Sequence, residues 1–594
     1  MSEVDIHFYP SRITEFLEKA NFFRAIKEVN PLNLNSEQKE ELFGKRRYEA
    51  GLAERFGAIL ERKVPFHSLF AGWLTTDEGW EKAKEVYSQT NPQLIEIAKP
   101  ESAEEAAEIF FGLKGLVGVG KEVREKIYGL SLRWARERFL KQFLKAKGNL
   151  EEVENPLRIA RVLDPQALKE KIEALRQFKR EIKEEERRIK DEKGDFAEAK
   201  RIILSLYRRR VNMELAELYS LGIIVARQPN ILPEEKQEIL RLLRGCLSEV
   251  APRTLQRMDR FLRGVGAQVR SDEEGVVGEA VKTIPGDFAQ YIEEKARQPI
   301  PEESEEYKKY KKYIVGAEQA EKICRGVLSL CGFENWRTRI KINITGFKVN
   351  YSEGAIEVRI PQDLNMELPR LMAILAHEIE GHAWRSRNRQ KVGLCLVRDF
   401  GSPRGESLSE AAGVWAERET LREAFGMGEV FEKRAYYWIL REKERGGSFK
   451  DCFRAALLAK VGGNEEKLER LLENEERFYK EGRAAFRETL RLFEAGKIPL
   501  SDKSGFLGDS AELSYLEQEM VTEELERLGL RRLIFVGGID IYSAVDLLRL
   551  GALRIEEIEE PQFVVARQIW PKIKEVLDRG GSLEEAVGEL EELV

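Results

Sequence analysis

Leu371-Met-Ala-Ile-Leu-Ala-His377-Glu378-Ile-Glu-Gly381-His382 places Leu371, Met372, Ile374, Leu375 and Ile379 at helical spacing, so the stretch reads as a buried helix. The whole chain of 594 residues has only 4 histidines, and two of them stand on this helix, five positions apart. In the familiar metal-binding helix the two histidines are four apart and share a face. Five apart, they diverge by about 140° on an ideal helix. They reach one ion only if the helix widens to an i→i+5 turn or breaks. Gly381, directly before the second histidine, is the residue expected to tolerate that distortion.

Upstream of the helix, Arg339–Thr345 and Ala355–Pro361 alternate apolar and polar residues with period two, and Ser352-Glu-Gly354 supplies a turn. The pattern predicts a small sheet over 339–361, a motif helix over about 366–387 and a ligand helix over about 407–425. The remainder to Val594 reads as mainly helical, with a capping box at Ser582-Leu-Glu-Glu585. Residues from about 11 to 298 read as helix after helix. Leu168 to Lys190 alternates Glu, Lys and Arg as a solvated helix face does. Capping signals stand at Ser102-Ala-Glu-Glu105 and Pro233. Gln298-Pro-Ile-Pro-Glu-Glu-Ser304 is the expected boundary between a helical N-terminal region, 1–298, of one or two subdomains, and a second domain, 305–594. The expected fold class is mainly α with a small β-sheet (α+β).

The 99 Lys and Arg against 105 Asp and Glu give a net charge of -6, and 34% of residues are charged. No apolar run approaches the roughly 18 residues that span a bilayer. The acidic N-terminus, Met1–His7, lacks the order of a signal peptide, so a cytoplasmic protein without a membrane partner is expected. The acidic balance argues against a nucleic-acid partner. The 5 cysteines form no Cys-x-x-Cys pair and read as reduced thiols.

Two neutral imidazoles and one carboxylate leave a coordination position open for water, as catalytic zinc requires. The third ligand is expected on the helix after a connecting loop, where Glu406, Glu410 and Glu417 are candidates. Glu410 is preferred, because Ser-Glu410-Ala-Ala-Gly-Val-Trp415 is small enough for the two helices to approach closely. Glu406 then reads as a loop charge and Glu417 as a solvated helix acid. Glu378, next to the first histidine, can take a proton from a zinc-bound water and pass it on, the chemistry of amide hydrolysis. Glu380 reads as a surface acid or one behind the ligands. The Ala355–Ile360 strand can offer an edge to an extended substrate or can simply pack under the helix.

Leu375-Ala-His-Glu-Ile-Glu-Gly-His-Ala-Trp-Arg-Ser-Arg-Asn388, followed by Ser-Glu410-Ala-Ala-Gly-Val-Trp-Ala-Glu417, resembles the microtubule-associated tyrosine carboxypeptidase-like metallopeptidases. Their pattern runs His-Glu-Ile-x-x-His-x-x-Arg-x-x-Asn-Gly, then Glu-Glu-Gly-Leu-Ala-x-Tyr. The resemblance covers about Ile340 to Glu417. It implies a gluzincin-like zinc peptidase with Zn2+ held by His377, His382 and Glu410, and Glu378 as base. It further implies removal of a C-terminal residue from a peptide or protein tail. Thr489-Leu-Arg491-Leu-Phe-Glu-Ala-Gly496 and Glu512-Leu-Ser-Tyr515-Leu are similar to later elements of that family in degraded form. Arg385 and Arg491 are therefore candidates to hold a substrate carboxylate, and Tyr515 to donate to the tetrahedral intermediate.

Two other readings stay open at this point. His-Glu-x-x-Gly-His also fits a dipeptidyl peptidase III-like exopeptidase. Alternatively, the long charged N-terminal half belongs to a helical binding protein whose metal site is vestigial. In either peptidase reading that half can cover the cleft and restrict it to short peptides or tails.

Overall fold

The computed structural model describes residues 29–45, 47–64, 66–88, 98–102, 105–106, 121–154, 159–226, 296–298, 301–333, 335–341, 347–352, 355–402, 409–428, 434–445, 447–492, 494–495, 498–499, 522, 525–526, 529–539 and 541–591. The Pro233 helix signal, Cys246, Glu406 and Tyr515 lie outside them. The described chain is mainly helical with small sheets. Among the described residues no helix is long and apolar enough to cross a membrane.

Local signals account for several elements. Asp164 caps the helix Pro165–Arg188 by accepting from Gln166 and Ala167, with proline at its start. That helix buries Leu168, Ile172, Leu175, Phe178 and Ile182 at spacings of three and four. Its Glu, Lys and Arg residues are left mostly on the solvated side, as the sequence pattern implies. Ser582 accepts from the backbone N–H of Glu585 at 3.1 Å and opens the helix Leu583–Glu591.

The cores do not divide at 298–305. The largest runs through Leu34–Ile59, Leu168–Leu218, Tyr310–Phe425 and Leu525–Leu590, so N-terminal helices and the motif region share one interior. A second core joins Ala135–Val153 to Ala435–Leu490, and a small third one around Trp73, Trp80 and Tyr87 reaches it through Trp134. The described residues thus form two lobes threaded by one chain. The chain leaves the first lobe along β1 (Phe66–Phe70) and returns along β2 (Ile159–Leu163). These two strands pair antiparallel, Phe66 opposite Leu163. A second exchange runs where Ser304 donates to the Phe425 carbonyl and Pro301 lies against Gly428.

The first lobe carries the sheets that frame the motif. β3 (Ile314–Gly316) pairs with β7 (Asn365–Glu367). β4 (Trp336–Lys341), β5 (Lys348–Ser352) and β6 (Ala355–Pro361) form a three-stranded sheet in the order β4-β6-β5. β6 is parallel to β4 and antiparallel to β5. Ile356, Val358 and Ile360 point into the core, against the helix Ala317–Leu330. The sheet predicted at 339–361 is present and begins three residues earlier; 342–346 fall outside the described residues.

Candidate metal centre

Glu367 and Pro369 open the motif helix, which is regular from Leu368 to Leu375. From Ala376 to Ala383 it widens into a π-helix, then returns to α geometry over Trp384–Arg389. An i→i+5 turn stacks residues five apart one above the other, which is what the two histidines need. Their rings lie with centroids 4.9 Å apart at 75°. The widening needs no left-handed residue: the backbone at both ends is right-handed helical, and Gly381 is not among the positive-φ glycines.

Gly381 has a different reason to be glycine. The ligand helix, Ser409–Phe425, crosses the π-helix there. A Cβ on Gly381 would lie 2.5 Å from Gly413 Cα and 2.8 Å from its nitrogen. On the other side of the crossing, a Cβ on Gly413 would lie 2.6 Å from His377 Nε2. The small run Ala411-Ala412-Gly413 therefore lets the second helix sit directly on the imidazole.

This crossing brings Glu410 to both histidines. His377 Nε2 is 3.6 Å from one carboxylate oxygen and His382 Nε2 is 3.7 Å from the other. The three ligand atoms lie within 4.8 Å of one another, and no other such group of His, Cys, Asp or Glu side chains occurs among the described residues. Donors about 2.1 Å from a tetrahedral ion stand roughly 3.4 Å apart, so this donor set fits zinc with small adjustments. All three residues are half-buried.

Glu417, expected as a solvated acid, is instead 3% exposed. Its carboxylate lies 3.2 Å from His377 Nδ1 and accepts from Arg370. A carboxylate on the far nitrogen fixes the ring and leaves Nε2 for an ion. The sequence signal was available: Glu410 and Glu417 are seven apart, two turns along one helix face. Burial pushes the His377 pKa down, but the Glu410 and Glu417 carboxylates outweigh it and raise it to about 10. Burial pushes Glu378 up to about 7, with His377 opposing and Glu410 and Glu417 reinforcing the rise. Three carboxylates about two imidazoles make a pocket that favours a cation.

Replacing Glu417 with glutamine leaves the three ligands in place but removes the charge behind His377. The expected outcome is metal affinity lowered about 10- to 100-fold with little change in Tm, read by competition with a chelator. Unchanged affinity would show that Glu417 does not act on the imidazole.

The rest of the motif helix holds the C-terminal segment. Arg385, a candidate for the substrate carboxylate, is 2% exposed, and its two terminal nitrogens donate to the carbonyls of Ile534 and Val536, each at 2.9 Å. Asn388 donates to the carbonyls of Phe535 and Glu559, and Trp384 donates to Glu559. The guanidinium is thus engaged with backbone rather than open to a ligand. Glu380 is fully buried and accepts from the backbone N–H of Val564 at 2.6 Å, behind Phe563, whose φ is 55°. Burial pushes its pKa up to about 7, against the backbone N–H groups of Val564 and Val565. Arg491 belongs to the last turn of the helix Glu475–Leu492 in the second lobe.

One strand expectation is corrected. β6 (Ala355–Pro361) is the central strand, hydrogen-bonded on both sides, so it has no edge to offer. β5 is the edge that packs against the π-helix. Two strands with the same alternation are interchangeable in a sequence, and only long-range pairing orders them.

In comparison with known proteins, the chain matches no protein-family model and no curated protein.

Proposed function

We propose that the chain is a zinc-dependent peptidase of the gluzincin kind, acting as a carboxypeptidase. The observation that carries the reading is the convergence of His377, His382 and Glu410 within 4.8 Å, with Glu378 adjoining the first histidine. Zinc bound there would supply an activated water and polarise the scissile carbonyl. Glu378 would hold the proton taken from that water and deliver it to the leaving amine. Glu417 would keep His377 oriented, and the β5 edge would align an extended peptide beside the π-helix.

The carboxypeptidase choice is carried by the motif's likeness to the tyrosine carboxypeptidase-like family, since Arg385 is engaged with backbone carbonyls and Tyr515 lies outside the described residues.

Purified chain is expected to carry one zinc and to shorten peptides in a mixed library from the C-terminus, with amidated peptides spared. Glu378→Gln should retain the metal while kcat/KM falls by about 10³. Metal-loaded protein that leaves every peptide intact, or a Glu378→Gln variant as active as the parent, would refute the assignment.

A further inference from the structure

The face of the β4-β6-β5 sheet turned away from the core is basic. Residues alternate across a sheet, so Arg337, Arg339 and Lys341 of β4 share this face with Glu357 and Arg359 of β6. Glu357 is buried, with Arg337 Nε at 2.6 Å, Arg339 Nε at 3.3 Å and Arg359 Nε at 2.6 Å. Burial alone raises a carboxyl's pKa, yet these guanidinium groups hold that of Glu357 below its ordinary value. Four cations against one carboxylate leave an excess of three positive charges among these residues, on a chain whose net charge is -6. Arg337 and Arg339 meet Glu357 through Nε, and their side chains stay 59% and 50% exposed.

Beside this face, β4 is hydrogen-bonded to a strand on one side only among the described residues. Its edge and its row of cations therefore lie together. Same-face residues along a strand repeat at about 6.6 Å, the spacing of same-face side chains in any second extended chain.

We propose that this surface docks an extended acidic polypeptide, which adds to the β4 edge through its backbone and places alternate Asp or Glu side chains over Arg337, Arg339 and Lys341. Backbone pairing supplies affinity and the charge row supplies selectivity. A single-stranded nucleic acid is disfavoured, because this face carries Arg, Lys and Glu but none of the aromatic platforms on which bases stack. The proposal is independent of the metal reading, because it concerns binding and not hydrolysis.

The test is fluorescence anisotropy of the full chain with a labelled, end-blocked peptide of alternating Glu and Gly, against a Lys-Gly peptide and an oligothymidylate. The acidic peptide alone should bind. Raising the salt to screen surface charge should weaken it. Arg337→Glu with Arg339→Glu should weaken binding by about tenfold or more. Arg339→Gln, which keeps Arg337 and Arg359 on Glu357, should weaken it less while leaving Tm unchanged, and Arg477→Glu, an exposed site in the other lobe, should have no effect. No binding of the acidic peptide at low salt, equal binding of the oligothymidylate, or equal affinity in Arg339→Gln and the parent would each overturn the proposal.

Discussion

Gly413→Ala is expected to remove metal binding from a chain that still folds. The added methyl group would sit 2.6–2.8 Å from three atoms of the His377 ring, where side-chain carbons in real proteins do not approach. One of those atoms is Nε2, the nitrogen nearest to Glu410. The ring cannot retreat freely, because Glu417 faces its other nitrogen and Arg370 in turn donates to Glu417. A ligand displaced by more than a few tenths of an ångström no longer completes the coordination sphere, so affinity should fall by about 10²-fold or more. The cost in stability should be smaller, about 1–3 kcal/mol for overpacking. Gly381→Ala differs in kind, since its Cβ would meet the Gly413 backbone at 2.5 Å and must push the two helices apart. It should lower both Tm and metal content. Gly588→Ala, with nothing within 4 Å, is the matched control and should be neutral or slightly stabilising. Metal titration and thermal melts on the three variants check the series, and a Gly413→Ala protein that binds zinc as the parent does would remove the helix crossing from the account.

The residues that this crossing unites were legible for different reasons. His377 and His382 stood out because histidine is rare in the chain and because two imidazoles five apart have few ways to converge. Glu410 followed from its small neighbours, which only a close helix contact requires. Gly381 was read for backbone freedom, but its missing side chain serves the neighbouring helix. A single glycine in a sequence does not distinguish the two uses. Glu417 escaped because Ala-Glu-Arg-Glu looks like any solvated helix turn, and its burial depends on Arg370, which lies 47 residues earlier. Arg385 was read as facing a substrate, whereas its partners, like those of the neighbouring Asn388, are backbone carbonyls near 534–559. Backbone carbonyls leave no mark in side-chain patterns. The lobes were hidden for a related reason: each core gathers segments hundreds of residues apart, and local periodicity says which face is buried but not against what.

That threading makes Leu34–Ile59 and Leu168–Leu218 part of the motif lobe, and Glu49 is where the dependence is sharpest. Glu49 is fully buried on the helix Tyr48–Leu60. One carboxylate oxygen accepts from the Leu396 backbone N–H at 2.9 Å and from the Tyr207 hydroxyl at 2.6 Å; the other accepts from the Cys395 N–H at 2.9 Å. The two backbone donors open the turn Leu396–Phe400, which follows the motif helix, and Tyr207 lies on the helix Asp195–Ala226, so one side chain ties two N-terminal helices to that turn. Glu49→Ala would leave three donors without their acceptor, and a loss of about 3–5 kcal/mol is expected. Glu49→Gln keeps the shape but supplies one acceptor oxygen and one unwanted donor, and should cost about half as much. A fragment beginning at Ser304 loses this anchor together with the Leu34–Ile59 and Leu168–Leu218 parts of the shared core. It should therefore be unfolded or aggregated, not an active enzyme with a wider cleft. Denaturant melts of the two variants, with circular dichroism of the fragment, decide the matter. A fragment that melts cooperatively and holds zinc would mean that the N-terminal helices rest on the motif lobe without building it.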